Sequence, residues 1–398
     1  MTPGGIAVVA RQELTIRIRT GRWRWLLVAW FGALMLFTLL MRASIARVAD
    51  ADVPNKGVVV YGGLTLLVLA LALLVVPALA AQSVNGDRER GTLATLQVTR
   101  LTAGDIAVGK LAAAWGTSLV FLVLTLPLVG YCMFLGGVPL LRVLVVTLVM
   151  ALLLGSVIAM SLCLSAVLAR TTTSGVLAYV VVFALTAGTL ICFGIGTALS
   201  TESYRQQVPS FCPSRPAPAP PLPSASPGTY VPVTPAPTPC EPATSFEATR
   251  ARTDRIWWLL APNPFVILAD AAPQLPPLSK AEQEKRHRLE EQGRSTSDLR
   301  DSDPLGSLGR QVRDLRLHPN EVPEGGGIDY APSLGTTGAD GEGSYELIDG
   351  RDIKIVKRRA VWPYGLAFDV LLGVGAVWLT TRRLKTPTRK LAKGQRVA

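Results

Sequence analysis

Residues 82–110 read QSVNGDRERGTLATLQVTRLTAGDIAVGK and stand between two apolar segments, each long enough to cross a bilayer. Asp87, Arg88, Glu89 and Arg90 follow one another, and four consecutive charges must sit in water, so the stretch is a loop at a membrane face. Gly91 follows them as a hinge. Thr92, Leu93 and Leu96 then place apolar groups at helical spacing, which predicts a short surface helix across that face. Thr102 with Asp105 three residues on has the form of a helix start, the first side chain satisfying an orphan amide near the second, and it opens the next spanning helix.

Composition agrees. A chain of 398 residues, 49% hydrophobic and 17% charged, is too apolar for one soluble domain. The net charge of +12 does not call for a nucleic-acid partner, because its basic residues cluster beside apolar runs. Arg11, Arg17, Arg19, Arg22 and Arg24 precede the first run; Arg382, Arg383, Lys385, Arg389, Lys390, Lys393 and Arg396 follow the last. The positive-inside rule then places both termini in the cytoplasm, which requires an even number of spans.

The expected fold is an all-α polytopic membrane protein with six transmembrane helices. A cytoplasmic amphipathic segment (1–22) reads either as an interfacial helix or as a solvated arm; no small-residue cleavage site makes it a signal peptide. Five spans follow within 23–199, near 23–41, 58–81, 111–135, 140–168 and 176–199, with the cytoplasmic loop 82–110 after the second. Trp23, Trp25 and Trp30 are expected to form an aromatic belt. Pro77 is expected to kink the second span, and Gly136 to Pro139 to make a tight external turn. Arg142, close to that turn, is expected to snorkel to solvent. Ala184, Gly188, Cys192 and Gly196 recur every four residues in the fifth span, a small-residue face for close packing in lipid.

A long external insertion (200–360) separates these from the sixth span (361–381) and a basic cytoplasmic tail (382–398). Its Pro-rich tract, 209–242, cannot form a core. Residues 255–268 are apolar but short and interrupted by Pro, which suits a re-entrant or interfacial segment. A charged helix is expected near 279–292, loop over 324–352 and a strand near 353–356. Cys212 and Cys240 flank the Pro-rich tract on the oxidising side and are expected to pair as a disulfide, worth about 3 kcal/mol in the chain-entropy model. Asp369 is the one acidic residue well inside a span, so it should face the bundle interior, a wet cavity or a basic partner.

Catalytic motifs are lacking. His287 and His318 are the only histidines and have no metal-ligand spacing around them. Gly104 to Lys110 comes close to a phosphate-binding loop, but Leu111 stands where that motif needs Ser or Thr to hold magnesium. No catalytic, cofactor or metal residue is assigned, and any ATP used must be bound by another chain.

Glu89-Arg90-Gly91-Thr92-Leu93, followed by Gly109-Lys110 at the next helix start, resembles the first cytoplasmic loop of ABC-2-type transporter permeases. The resemblance covers about the first half of the chain and the final helix; the family has Glu where this chain has Asp87 or Arg88, and Pro near Leu101. It implies a permease subunit of an ATP-binding-cassette exporter in the plasma membrane, forming the translocation path. ATP and magnesium would sit on a separate ATPase subunit, and the permease would pair as a homodimer or heterodimer with a second permease. Arg88, Glu89, Arg90, Gly91, Thr92, Leu93, Leu96, Gly109 and Lys110 would couple to the ATPase. The insertion would cap the external mouth of the path. The fifth-span stripe would then lie at the dimer seam or, as the reading preferred here, pack inside one subunit. Two other classes stay open. A secondary transporter or channel should carry several buried ionisable residues, where this sequence offers Asp369 alone; a membrane scaffold or sensor would use the insertion to bind a partner.

Overall fold

The computed structural model describes residues 2–19, 21–48, 55–89, 91, 101–168, 170–208, 244–273, 275, 288, 303–317, 344–349, 352–357 and 359–385. Helices α1 (Pro3–Arg19), α2 (Gly21–Val48), α3 (Lys56–Ala81), α4 (Asn85–Glu89), α5 (Ala103–Phe134) and α6 (Leu140–Val167) come first. Helix α7 (Thr171–Phe183) continues through a π-helical turn at Ala184–Gly188 into α8 (Thr189–Leu199). Strands β1 (Thr201–Val208) and β2 (Thr244–Ala251), helix α9 (Thr253–Ile256), a 3-10 turn (Trp257–Leu259), α10 (Pro264–Ala271) and α11 (Pro304–Asp314) follow. Strands β3 (Ser344–Asp349) and β4 (Asp352–Lys357) and helix α12 (Trp362–Leu384) complete the order.

Six helices are long and apolar enough to cross a membrane: Trp23–Arg47, Lys56–Glu89, Ala103–Phe134, Leu140–Val167, Thr171–Leu199 and Trp362–Leu384. They coincide with the six expected spans; the fourth keeps its expected length, and the others are extended by polar or interfacial turns at one end or both. Helix α5 starts as its sequence requires: the Thr102 hydroxyl accepts from the Asp105 amide at 3.2 Å, and the Asp105 carboxylate accepts from the Thr102 amide at 3.1 Å. The turn into α6 holds Gly136 and Gly137 at φ +90° and +85°. At Gly137 a Cβ would also press within 2.9 Å of Asn55 and Val58, so glycine is needed there for conformation and for space.

Helices α3, α5 and α6 form the centre, with Leu64, Leu69, Phe121, Leu153, Leu154 and Ile158 buried among them. Lipid is as apolar as these side chains, so close fit rather than water exclusion holds the helices together. Helix α12 lies along α6 with Gly373 against Ser156, where a Cβ would come 3.2 Å from the serine Cα. The expected aromatic belt is corrected. Trp25 is exposed, but Trp30 and Trp23 turn inward onto Phe121, with ring centroids 4.8 and 5.4 Å apart.

The insertion carries structure that composition hid. Strands β1 and β2 pair antiparallel from Thr201↔Ala251 to Val208↔Thr244, closing the base of residues 209–243. Arg252 pairs with Glu202 and, at 3.0 Å, with Asp254; its hydrogen bond holds the Glu202 carboxyl below the usual carboxylate range. Strands β3 and β4 form a second hairpin where a single strand was expected. Among the described residues, the elements other than these two small sheets are helical. Most of the charged helix expected near 279–292, the loop over 324–343, His287, His318, Cys212 and Cys240 lie outside the described residues.

Residues 253–271 fold back along the fifth span as α9, the 3-10 turn and α10. Gly196 sits beneath Ile256 and Leu259, and Gly365 of α12 lies so close to the Ala261 carbonyl that any Cβ would overlap it. Asn263 caps α10 by accepting from the Phe265 amide and, through Nδ2, donates to the Thr186 carbonyl and the Thr189 hydroxyl, each at 2.9 Å. Thr186 lies in the π turn and Thr189 directly follows it, so Asn263 ties α10 to that turn. That turn also corrects the small-residue stripe. One extra residue shifts the helical phase, so Ala184 and Cys192 are exposed while Gly196 packs on the 3-10 turn. The four positions do not form one packed face inside the subunit.

Arg142 is the largest departure from expectation. It does not snorkel: it is 1% exposed and pairs with Asp303 at 2.5 Å. The chain entering α11 covers it, with Pro304 seated on Gly62. At the other end of α11, Arg313 pairs with Asp270 at 2.5 Å, and the same carboxylate accepts from the Val361 and Trp362 amides at 2.6 and 2.7 Å. Asp270 thereby satisfies two orphan donors at the start of α12.

Candidate functional site

The loop singled out by its charges is built from three braces. Helix α3 ends at Ala81, and the chain turns through residues 82–84 into α4, which ends where Gly91, at φ +72°, donates its amide to the Arg88 carbonyl at 3.1 Å. A left-handed residue at this point is what lets the chain leave α4, which explains the hinge glycine.

The first brace is Lys110. It is 1% exposed and its ammonium meets Glu13 of α1, Asp87 of α4 at 2.5 Å, and the Ser83 carbonyl at 3.1 Å. A buried ammonium requires such partners. Gly109 completes the contact: a Cβ there would meet Val9 of α1 at 2.7 Å. Helix α1 is tied further by the Thr2 amide on Asp105 at 2.9 Å and by Arg17 on the Thr117 hydroxyl at 3.1 Å. The first segment is thus a helix docked on α5 and not a solvated arm.

The second brace is Asn85, fully buried. The Val84 and Asn85 amides both donate to Ser165 Oγ of α6 at 3.1 Å, while Asn85 Nδ2 reaches the Arg170 carbonyl at 3.4 Å and Ser174 Oγ at 3.3 Å. Ser174 in turn donates to the Ala81 carbonyl at 2.8 Å. The third brace is the charged pair itself. Arg88 donates to the Leu168 carbonyl at 3.3 Å, and Glu89 accepts from the Thr171 amide at 3.3 Å, capping α7 where its own N-cap residue, Arg170, makes no side-chain bond. Between α4 and the start of α7 lies an open polar crevice of about 310 Å³, lined by Gln82, Gly86, Glu89, Thr171, Thr172 and Gly175.

The structure therefore gathers Arg88, Glu89, Gly91, Gly109 and Lys110 at one end of the bundle, with Lys110 and Gly109 inside and Arg88 and Glu89 at the surface. Arg90, Thr92, Leu93 and Leu96 lie outside the described residues. Glu13, Asn85, Ser165 and Ser174 escaped the sequence reading, since a serine or asparagine near a helix end is common and nothing local announces a partner some eighty residues away. Asp369 is 1% exposed and shares a face of α12 with Gly365 and Gly373; its Oδ1 has no hydrogen-bond partner among the described residues. The same described residues contain no group of His, Cys, Asp and Glu suited to a metal.

No curated protein and no solved structure matches the chain. Residues 7–273 match the model of the ABC-2 family transporter proteins. That match runs beyond the loop, through the fifth span, β1, β2 and the Asn263 cap, and stops short of α12. With the six apolar helices, it makes this chain a multi-pass membrane protein of the ABC-2 transporter family.

Proposed function

We propose that this chain is the permease subunit of an ATP-binding-cassette exporter in the plasma membrane, dimeric and driven by a separate ATPase that binds the ATP and magnesium. The end bearing residues 82–110 and both termini face the cytoplasm, and the insertion faces outward. The observation that carries the reading is the bracing of α4. A push on this short polar helix reaches α1 and α5 through Lys110, α6 through Ser165, and α7 through Ser174 and Glu89. Such a lever suits a protein whose spans are switched by a partner that contacts two states of the loop differently.

Membrane subunits of this family are typically non-catalytic, in keeping with the absence of catalytic motifs from the sequence. The test is isolation of the full chain from its native membrane. An ATP-binding-cassette ATPase should co-purify, and Glu89→Lys should lower substrate-stimulated ATP hydrolysis with the permease still inserted. Isolation without an ATPase, together with transport driven by an ion gradient alone, would refute the assignment.

A further inference from the structure

Three spans each carry a threonine within an aliphatic run: Thr65 in GLTLLV, Thr125 in VLTLPL and Thr147 in VVTLVM. They stand on α3, α5 and α6, the central helices, and the fold brings them to one place. With Tyr61 they contribute four hydroxyls to the wall of a cavity of about 20 Å³, whose other wall residues are leucine, valine and methionine. We propose that this cavity is an internal hydration site, taking one water molecule that hydrogen-bonds to hydroxyls of all three central helices.

Size and chemistry agree. An internal water needs about 10–15 Å³ and about two to four polar partners. The cavity offers the space with little to spare, which excludes a larger occupant, and the hydroxyls supply the partners. The Thr125 hydroxyl donates to the Leu122 carbonyl at 2.6 Å, so its oxygen keeps lone pairs that can only accept. A hydroxyl whose proton is spent needs a donor, and neither lipid nor an aliphatic wall provides one, whereas water does.

The surroundings are short of partners as well. Tyr61 lies within reach of the charges of Arg142 and Asp303, and Val146 of the cavity wall is one turn along α6 from Arg142. Arg142 Nε and Nη1 and Asp303 Oδ1 are buried with no hydrogen-bond partner among the described residues. The ion pair is already balanced in charge, so this end of the bundle calls for a neutral group that both accepts and donates, and not for an ion. Water is the smallest group that does both.

X-ray radiolysis of the full chain in detergent tests the site, because hydroxyl radicals generated from a bound water label the side chains beside it. Tyr61, 2% exposed, should be hydroxylated. After brief mixing with heavy-oxygen water, its label should still carry ordinary oxygen, while the label on the exposed Tyr364 carries the heavy isotope. Thr125→Val combined with Thr147→Val removes two hydroxyls at nearly constant shape, and should abolish the label at Tyr61 while keeping that at Tyr364. An unlabelled Tyr61 in the wild-type chain overturns the proposal. So does heavy oxygen reaching Tyr61 as fast as Tyr364, since the cavity would then be open to bulk solvent, and so does an unchanged Tyr61 label in the folded double variant. Should that variant fail to fold, the isotope comparison in the wild-type chain decides alone.

Discussion

The two ends of the helix bundle are fastened by different chemistry. At the insertion end, α11 is held by Arg142 with Asp303, 1% and 2% exposed, and by Arg313 with Asp270, 10% and 0% exposed. At the loop end, Lys110 is equally buried, but its carboxylate partners Glu13 and Asp87 are 19% and 13% exposed, and the other braces are the neutral hydrogen bonds of Asn85 and the single bonds that the exposed Arg88 and Glu89 make to backbone groups. Separating charges withdrawn fully from solvent costs several kcal/mol each, whereas a neutral hydrogen bond contributes about 1 kcal/mol and carboxylates that keep some exposure can turn toward water. Of the two fastenings, the ion pairs of the insertion end are therefore the harder to pull apart.

The strongest attempt to break this contrast is Arg142→Leu. It strands Asp303 in the bundle and should lower stability by about 3–5 kcal/mol, while the double variant with Asp303→Leu should recover most of the loss. Thermal unfolding in detergent reads both, and an Arg142→Leu protein as stable as wild type would erase the distinction. Next in size is the disulfide. The β1 and β2 register brings the ends of residues 209–243 together, and Cys212 and Cys240 each stand four residues beyond the last pair, Val208↔Thr244. Pairing them should contribute about 3 kcal/mol. Alkylation before and after reduction, followed by intact mass, checks it; two thiols alkylated without reduction would reject the bridge and weaken the outward placement of the insertion.

At the loop end, Lys110→Met should cost less than Arg142→Leu, about 1–3 kcal/mol, because its stranded carboxylates can turn toward water. Its signature should be faster amide exchange over α1, and unchanged protection there would show that Lys110 is not the brace. The smallest effect is expected at Asp369, two turns into α12. Asp369→Asn should support transport and Asp369→Leu should not, if the residue serves as a polar contact. A pair of silent substitutions would remove any role for it, and loss of transport in both would instead point to a need for the carboxyl proton.

What the sequence made legible depended on local rules. Six apolar runs, the Thr102 and Asp105 box and the glycine pair at 136–137 each carry their reason within a few residues, and all three stand in the structure. Arg142 could not be read, because its partner is 161 positions away and a basic residue near a span end looks alike whether it snorkels or pairs. For the same reason Lys110 was recognised but its environment was not: Glu13 is 97 positions off. Strand β1, reading TESYRQQV, lacks apolar alternation and acquires its conformation from the partner strand.

The π turn at Ala184–Gly188 gives the fifth span a property that hydropathy does not record. Length and apolarity describe a rod, but this rod has a phase, set below the turn by the contacts of Ser174 and above it by Asn263. Removing one residue from the turn would keep the span long enough and apolar enough while rotating α8 by about 100° against α7. The hairpin and everything after it would then leave the bundle on the wrong side, so the length of this span is constrained to the single residue even where its composition is free.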